Sequence, residues 1–154
     1  MHGSLQLIIK KMIPGNNKKK GVIYLRDNEW FRIENVIKLG IASSAKDREN
    51  GGYVTGEVIR GQYTLVIEIP HEQMRPIEKL LQFEFKSFHD YRGGGKEFYK
   101  RCISHMIEPV LQSLNIEYKV LSKHEIDSLE RCERITPPMQ QIISKINISD
   151  FIRR

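Results

Sequence analysis

Apolar positions along this chain switch between two periods. Gly21 to Leu25 (GVIYL) and Val36 to Ala42 (VIKLGIA) are short β-branched and aromatic runs, and each predicts a strand. Asp27-Asn28-Glu29 turns the chain between them, so the pair is expected as an antiparallel hairpin with a longish loop. Ser43 to Asn50 reads as a short helix, capped by Ser43 or Ser44 and stopped by Gly51-Gly52. Gln62 to Pro70 predicts a third strand that ends at the proline. From about Glu72 to Phe88 the period becomes helical, with Ile77, Leu80, Leu81, Phe85 and Phe88 on one face. After Gly93-Gly94-Gly95, a further helix is expected from about Lys96 to Leu114, with Cys102, Met106, Ile107, Val110 and Leu114 inward. A short strand (IEYKVL) and two short helical segments follow, the last behind Pro137-Pro138.

The order β-β-α-β-α-loop-α predicts an α+β domain: a small three-stranded, mostly antiparallel sheet flanked by helices, with a C-terminal helical extension. Pro14-Gly15-Asn16-Asn17 is a breaker cluster, so residues 1–19 read as an N-terminal arm, 20–114 as the domain, and 115–154 as an extension for packing or interaction. No repeat or low-complexity tract is visible.

Composition narrows the class. A chain of 154 residues is about one domain, and a hydrophobic fraction of 40% suffices for a core. No apolar run is long enough to span a membrane, and the N-terminus lacks the pattern of a secretion signal, so no membrane association is expected. Cys102 and Cys132 have no ligand-like spacing, which favours an intracellular, reducing compartment. No His pair has zinc-site spacing. The net charge of +6 suits a polyanionic partner, and equally a plain basic soluble protein. Lys18, Lys19, Lys20, Arg92, Lys96, Lys100 and Arg101 are candidates to line a nucleic-acid groove. Trp30-Phe31 is either a buried aromatic plug or a base-stacking surface, burial being the commoner fate.

The triple glycine is not a phosphate-binding P-loop. Gly95-Lys96 is followed by Glu97 rather than Ser or Thr, and a helix rather than a strand is expected before it. Glu97 would instead lie in the first turn of the next helix, where backbone N–H groups keep a carboxylate ionised. An ionised carboxylate suits Mg²⁺, which takes few protein ligands. Upstream, Tyr24 lies in the first strand, Gly40 allows close approach in the second, and Arg48 offers a planar fork for a phosphate. A tyrosine, an arginine and a carboxylate are the groups that metal-assisted phosphodiester hydrolysis needs.

These residues, in this order, resemble the GIY-YIG nuclease superfamily, most closely its viral and phage branch of GIY-YIG-like DNA-binding domains. The matching positions are Tyr24, Lys38-Leu39-Gly40, Arg48, Glu78-x-x-Leu81-Gln82-x-x-Phe85, Arg92 and Lys96-Glu97-Phe98-Tyr99, over roughly residues 20–114. The resemblance implies one Mg²⁺ (or Mn²⁺) on Glu97, Arg48 on the scissile phosphate, and Tyr24 assisting the attacking water. It implies Lys38 in the site, with Gly40, Glu78 and Gln82 in support. Two positions depart from the family pattern: Lys38 replaces its second tyrosine and Gln82 its histidine. The expected function is a Mg²⁺-dependent DNA endonuclease or nickase, with RNA open as a substrate. In a virus it would act in the host cytoplasm or nucleus. The alternatives are a nucleic-acid-binding module without turnover, or an assembly subunit that dimerises or docks a protein partner through 115–154.

Overall fold

The computed structural model describes residues 19–53, 56–92 and 95–130. Its centre is a five-stranded antiparallel sheet in the order β4-β2-β1-β3-β5, from β1 (Lys20–Asp27), β2 (Val36–Ala42), β3 (Gln62–Pro70), β4 (Phe98–Lys100) and β5 (Lys119–Val120). The fold is α+β as expected, but the sheet has five strands rather than three. The two extra strands are short edges of three and two residues, held by pairing to β2 and β3.

β1 lies between β2 and β3 and is buried along nearly its whole length, so it reads as a continuous apolar run rather than an alternating one. Alternation still sorts its side chains. Ile23 and Leu25 join the larger core with Ile37, Leu39, Ile67 and Ile69, under helix α3 (Met74–Glu84). That helix seats Ile77, Leu80 and Leu81, and Phe85 caps it in the same core. Val22 and Tyr24 face the other side and pack with Ala45, Tyr53, Tyr63 and Val66. Leu121 and, from helix α5 (Lys123–Glu130), Ile126 cover that second face, so the beginning of the predicted extension packs on the domain. Cys132, Pro137-Pro138 and the rest of 131–154 lie outside the described residues, as do residues 1–18 of the arm, Lys18 included. Among the described residues, no helix is long and apolar enough to cross a membrane.

The hairpin loop holds a helix, α1 (Glu29–Ile33), where the sequence predicted a turn. The Asn28 side chain caps it by accepting from the Phe31 N–H at 2.8 Å. Asn35, in the left-handed region at φ 56°, then turns the chain into β2. Helix α2 (Ala45–Arg48) starts as expected, with Ser44 as its cap. Gly51-Gly52 does not stop the chain; a π turn over Glu49–Tyr53 carries it through both glycines.

The helix expected over 96–114 is absent. In its place are β4, a 3₁₀ segment Arg101–His105 and the short helix α4 (Ile107–Ser113). The reason is legible in the chain: Pro109 fits the first turn of a helix but not its middle. The inward set shifts accordingly. Ile103, Ile107, Leu111 and Leu114 are buried, Met106 and Val110 pack at the core's margin, and Cys102 is exposed.

Candidate functional site

Sheet register assembles the site. Gly40 lies opposite Tyr24 across β1–β2, and Lys38 lies opposite Arg26 on one side and Phe98 on the other. The Tyr24 ring rests on Gly40 so closely that an added Cβ would sit 2.5 Å from Cζ and from Oη. Glycine is therefore needed here for space. Gly40→Ala is expected to cost about 1–3 kcal/mol by overpacking, read as a lower urea midpoint. An unchanged midpoint would show that Tyr24 moves aside freely.

Tyr24 is 2% exposed, and its hydroxyl bonds that of Tyr53 at 2.8 Å. Arg48, exposed at the end of α2, interacts with the Tyr24 hydroxyl and then with that of Tyr53. These two contacts hold its guanidinium above its ordinary pKa, the Tyr24 bond contributing most. Burial pushes the Tyr24 hydroxyl well above its usual range, and the bond to Tyr53 adds to this against an opposing pull from Arg48. Tyr53 is also raised by burial, although Tyr24, Arg48 and Arg26 oppose it. Both phenols are therefore neutral at physiological pH and act by hydrogen bonding rather than as phenolate bases.

Tyr63 and Tyr99 are likewise raised, burial leading in each. For these four groups the unfolded chain loses its protons above the ordinary tyrosine pKa of about 10 while the fold keeps them. Their contribution to stability is thus constant below about pH 10 and falls as pH rises, by up to about 1.4 kcal/mol per unit per group. Ultraviolet phenolate absorbance should rise for this set only together with loss of far-ultraviolet dichroism. Full ionisation of all six tyrosines in the folded state would contradict the buried placement.

Glu97 is not at a helix N-terminus; it lies immediately before edge strand β4, where its carbonyl accepts from the Leu39 N–H at 2.8 Å. The helix-dipole argument for its charge therefore fails. What holds the carboxylate instead is Lys38, whose Nζ lies 2.9 Å from Oε2. The Glu97 side chain stays 48% exposed. Lys38 also lies 5.4 Å from the Tyr53 ring centroid and 5.9 Å from that of Phe98. Lys38, Arg48, Tyr53, Glu57, Phe31 and Phe98 are among the lining of one cleft of about 400 Å³. The sheet edge thus brings Lys38, Arg48 and Glu97 into one neighbourhood, with Tyr24 buried beneath Tyr53.

Glu78 lies on α3. Its carboxyl is raised first by burial and also by the charge of Glu97, against pulls from Arg75 and Lys79. Gln82, one turn further on, is partly exposed. Among the described residues no three His, Cys, Asp or Glu side chains group as a metal cluster. A single-carboxylate Mg²⁺ site completed by water needs no such cluster.

The predicted groove cations divide. Lys96 and Lys100 are exposed next to the site. Lys19 and Lys20 lie at the far end of β1, roughly 20 Å from Arg26 at strand rise. Arg101 is committed to Asp27, with contacts of 2.7 and 2.8 Å, and to the Val36 carbonyl. Burial alone would raise Asp27, but Arg101, helped by Arg32, holds it below its usual range. Arg92 is gripped by Asp90 and by Glu34, which neutralise its charge.

Sequence reasoning missed Tyr53 and the group beneath it. Arg26 is fully buried and ion-paired to Glu49, itself fully buried, and to Glu57 at 2.8 Å. Its guanidinium also donates to the Gly61 carbonyl and lies 4.1 Å from the Tyr53 ring centroid and 4.8 Å from that of Tyr63. Arg60 supplies Glu49 with a second cation at 2.7 Å. The signal was strand alternation, which places Arg26 on the same face as Val22 and Tyr24. Comparison of this chain with family models, curated proteins and solved structures found no match.

Proposed function

We propose that the cleft beside β2 and β4 hydrolyses phosphodiester bonds in DNA with the help of Mg²⁺ or Mn²⁺. The observation that carries this reading is the placing of Lys38, Arg48 and Tyr53 around one opening, with Glu97 paired to Lys38 at its side and Tyr24 behind. The resemblance to GIY-YIG nucleases at these positions supports it. Lys38 and Arg48 draw in the phosphate, and the Arg48 fork holds it in one orientation. Tyr53, which lines the cleft, orients the attacking water, while the bond from Tyr24 holds its hydroxyl in place. The water oxygen bonds to phosphorus and releases a proton to solvent, the opposite P–O bond breaks, and the leaving oxygen takes a proton from solvent.

The donor set fits a hard divalent cation. Half-exposed Glu97 offers an oxygen not held by Lys38, and Glu78 lies close enough to feel its charge. Such an ion would neutralise charge developing on the phosphate oxygens. One observation favours a second reading, nucleic-acid binding without turnover: the Lys38 ammonium already occupies one Glu97 oxygen at 2.9 Å. Supercoiled plasmid incubated with the protein and Mg²⁺ separates the two. Relaxed circles that fail to form when EDTA is present support hydrolysis, and intact plasmid with retained binding supports the second reading.

A further inference from the structure

A second cleft of about 360 Å³ adjoins the first and shares three walls with it, Trp30, Phe31 and Phe98. Trp30 is 53% exposed, against the expectation of a buried plug, and it borders both clefts. Its backbone is fixed, because α1 is capped by Asn28 and closes on Asn35. Phe31 and Phe98 meet edge to face at 5.2 Å, so this wall is a preformed aromatic surface. The other side carries Arg92. Its Nε and both terminal nitrogens are engaged by Asp90 and Glu34, which fixes the plane of the guanidinium. A flat cation with its edge saturated and 62% of its side chain exposed is suited to stacking rather than to gripping phosphate.

We propose that this second cleft is a nucleobase-stacking subsite, which takes one unpaired base from the strand whose phosphate lies between Lys38 and Arg48. The inference rests on the proposed function for its neighbouring phosphate position. Continuity of the two clefts through one aromatic ridge is what selects a nucleic acid over an apolar peptide as occupant. The net charge of +6 agrees with that choice. The consequence is a preference for single-stranded, bulged or otherwise opened sites over continuous duplex, since a paired base is not free to enter.

Trp30 is the only tryptophan of the chain, so its emission reports on the ridge that the two clefts share, and the abasic strand separates base stacking from phosphate binding. The probe is a short fluorescein-labelled single-stranded oligothymidylate, compared with an abasic strand of equal length at low salt. Label anisotropy follows binding, and tryptophan emission follows stacking. The expected result is that both strands bind but only the base-bearing strand quenches Trp30. Trp30→Phe should keep affinity within about threefold, and Trp30→Ala should weaken it about tenfold or more, as lost base stacking does. Binding of both strands with unchanged Trp30 emission would overturn the subsite and leave the proposed function standing. If neither strand binds, both readings fall. Emission that shifts with protein concentration when no oligonucleotide is added would also overturn it, and would assign the ridge to contact between copies of the chain.

Discussion

Arg26→Met should destabilise the fold by about 3–5 kcal/mol, the range seen when one member of a buried ion pair is removed. The side chain has no exposed surface and meets two carboxylates, a carbonyl and two aromatic rings. Its removal leaves Glu49 buried with only Arg60, and it leaves Glu57 with the Gly61 N–H. A domain of this size has about 5–15 kcal/mol in total, so the variant should lie near the edge of folding. Urea unfolding measures the loss. The double variant Arg26→Met/Glu49→Met should recover part of it, because removing both charges also removes the cost of burying them. A loss below about 1 kcal/mol would mean that water reaches this network and that Tyr53 is positioned by other contacts. The network matters for function because it forms the floor under Tyr53, and through Tyr53 it sets Tyr24 and Arg48.

Glu97→Gln should lower metal-dependent cleavage by about a hundredfold or more, comparable to losing other groups that stabilise transition-state charge. Glutamine keeps the size of the side chain and a carbonyl oxygen, so the edge pairing through the Glu97 backbone is preserved. What is lost is the anionic oxygen, and with it the hard ligand and the partner of Lys38. Freed from its ion pair, Lys38 becomes more available to phosphate. DNA binding should therefore be kept or slightly strengthened while cleavage falls. That split between binding and turnover distinguishes a ligand or charge role from simple damage to the fold.

The central elements were legible because their signals are local and strong. Strands at 21–25, 36–42 and 62–70 and the helix through Ile77, Leu80 and Leu81 all form, and the Ser44 cap is where the chain predicts it. One edge was legible and one was not. Lys119–Val120 lies inside the predicted strand IEYKVL. Phe98–Lys100 is a strand only because β2 offers unpaired backbone, and a three-residue segment carries no usable period of its own. Glu97 lies beside Lys38, but its support differs from the one predicted: a sheet edge and a lysine, not a helix dipole. Tyr53 was hidden because Gly51-Gly52 looks like a stop, whereas here the glycines let a π turn continue and bring the tyrosine back over the sheet. Trp30 was misjudged from composition, since an aromatic in a loop is usually buried, and only the position of α1 at the rim leaves it open.

The central claim is that the carboxylate at the β4 edge supports phosphodiester cleavage in the Lys38–Arg48 cleft. Its most direct test is nicking of supercoiled plasmid in Mg²⁺ by wild type and Glu97→Gln, with DNA affinity measured on the same preparations. The account predicts nicking by wild type, none detectable by the variant over the same interval, and equal or tighter binding by the variant. Equal nicking by both proteins would contradict it and would move the chemistry, if it belongs to this chain, away from Glu97.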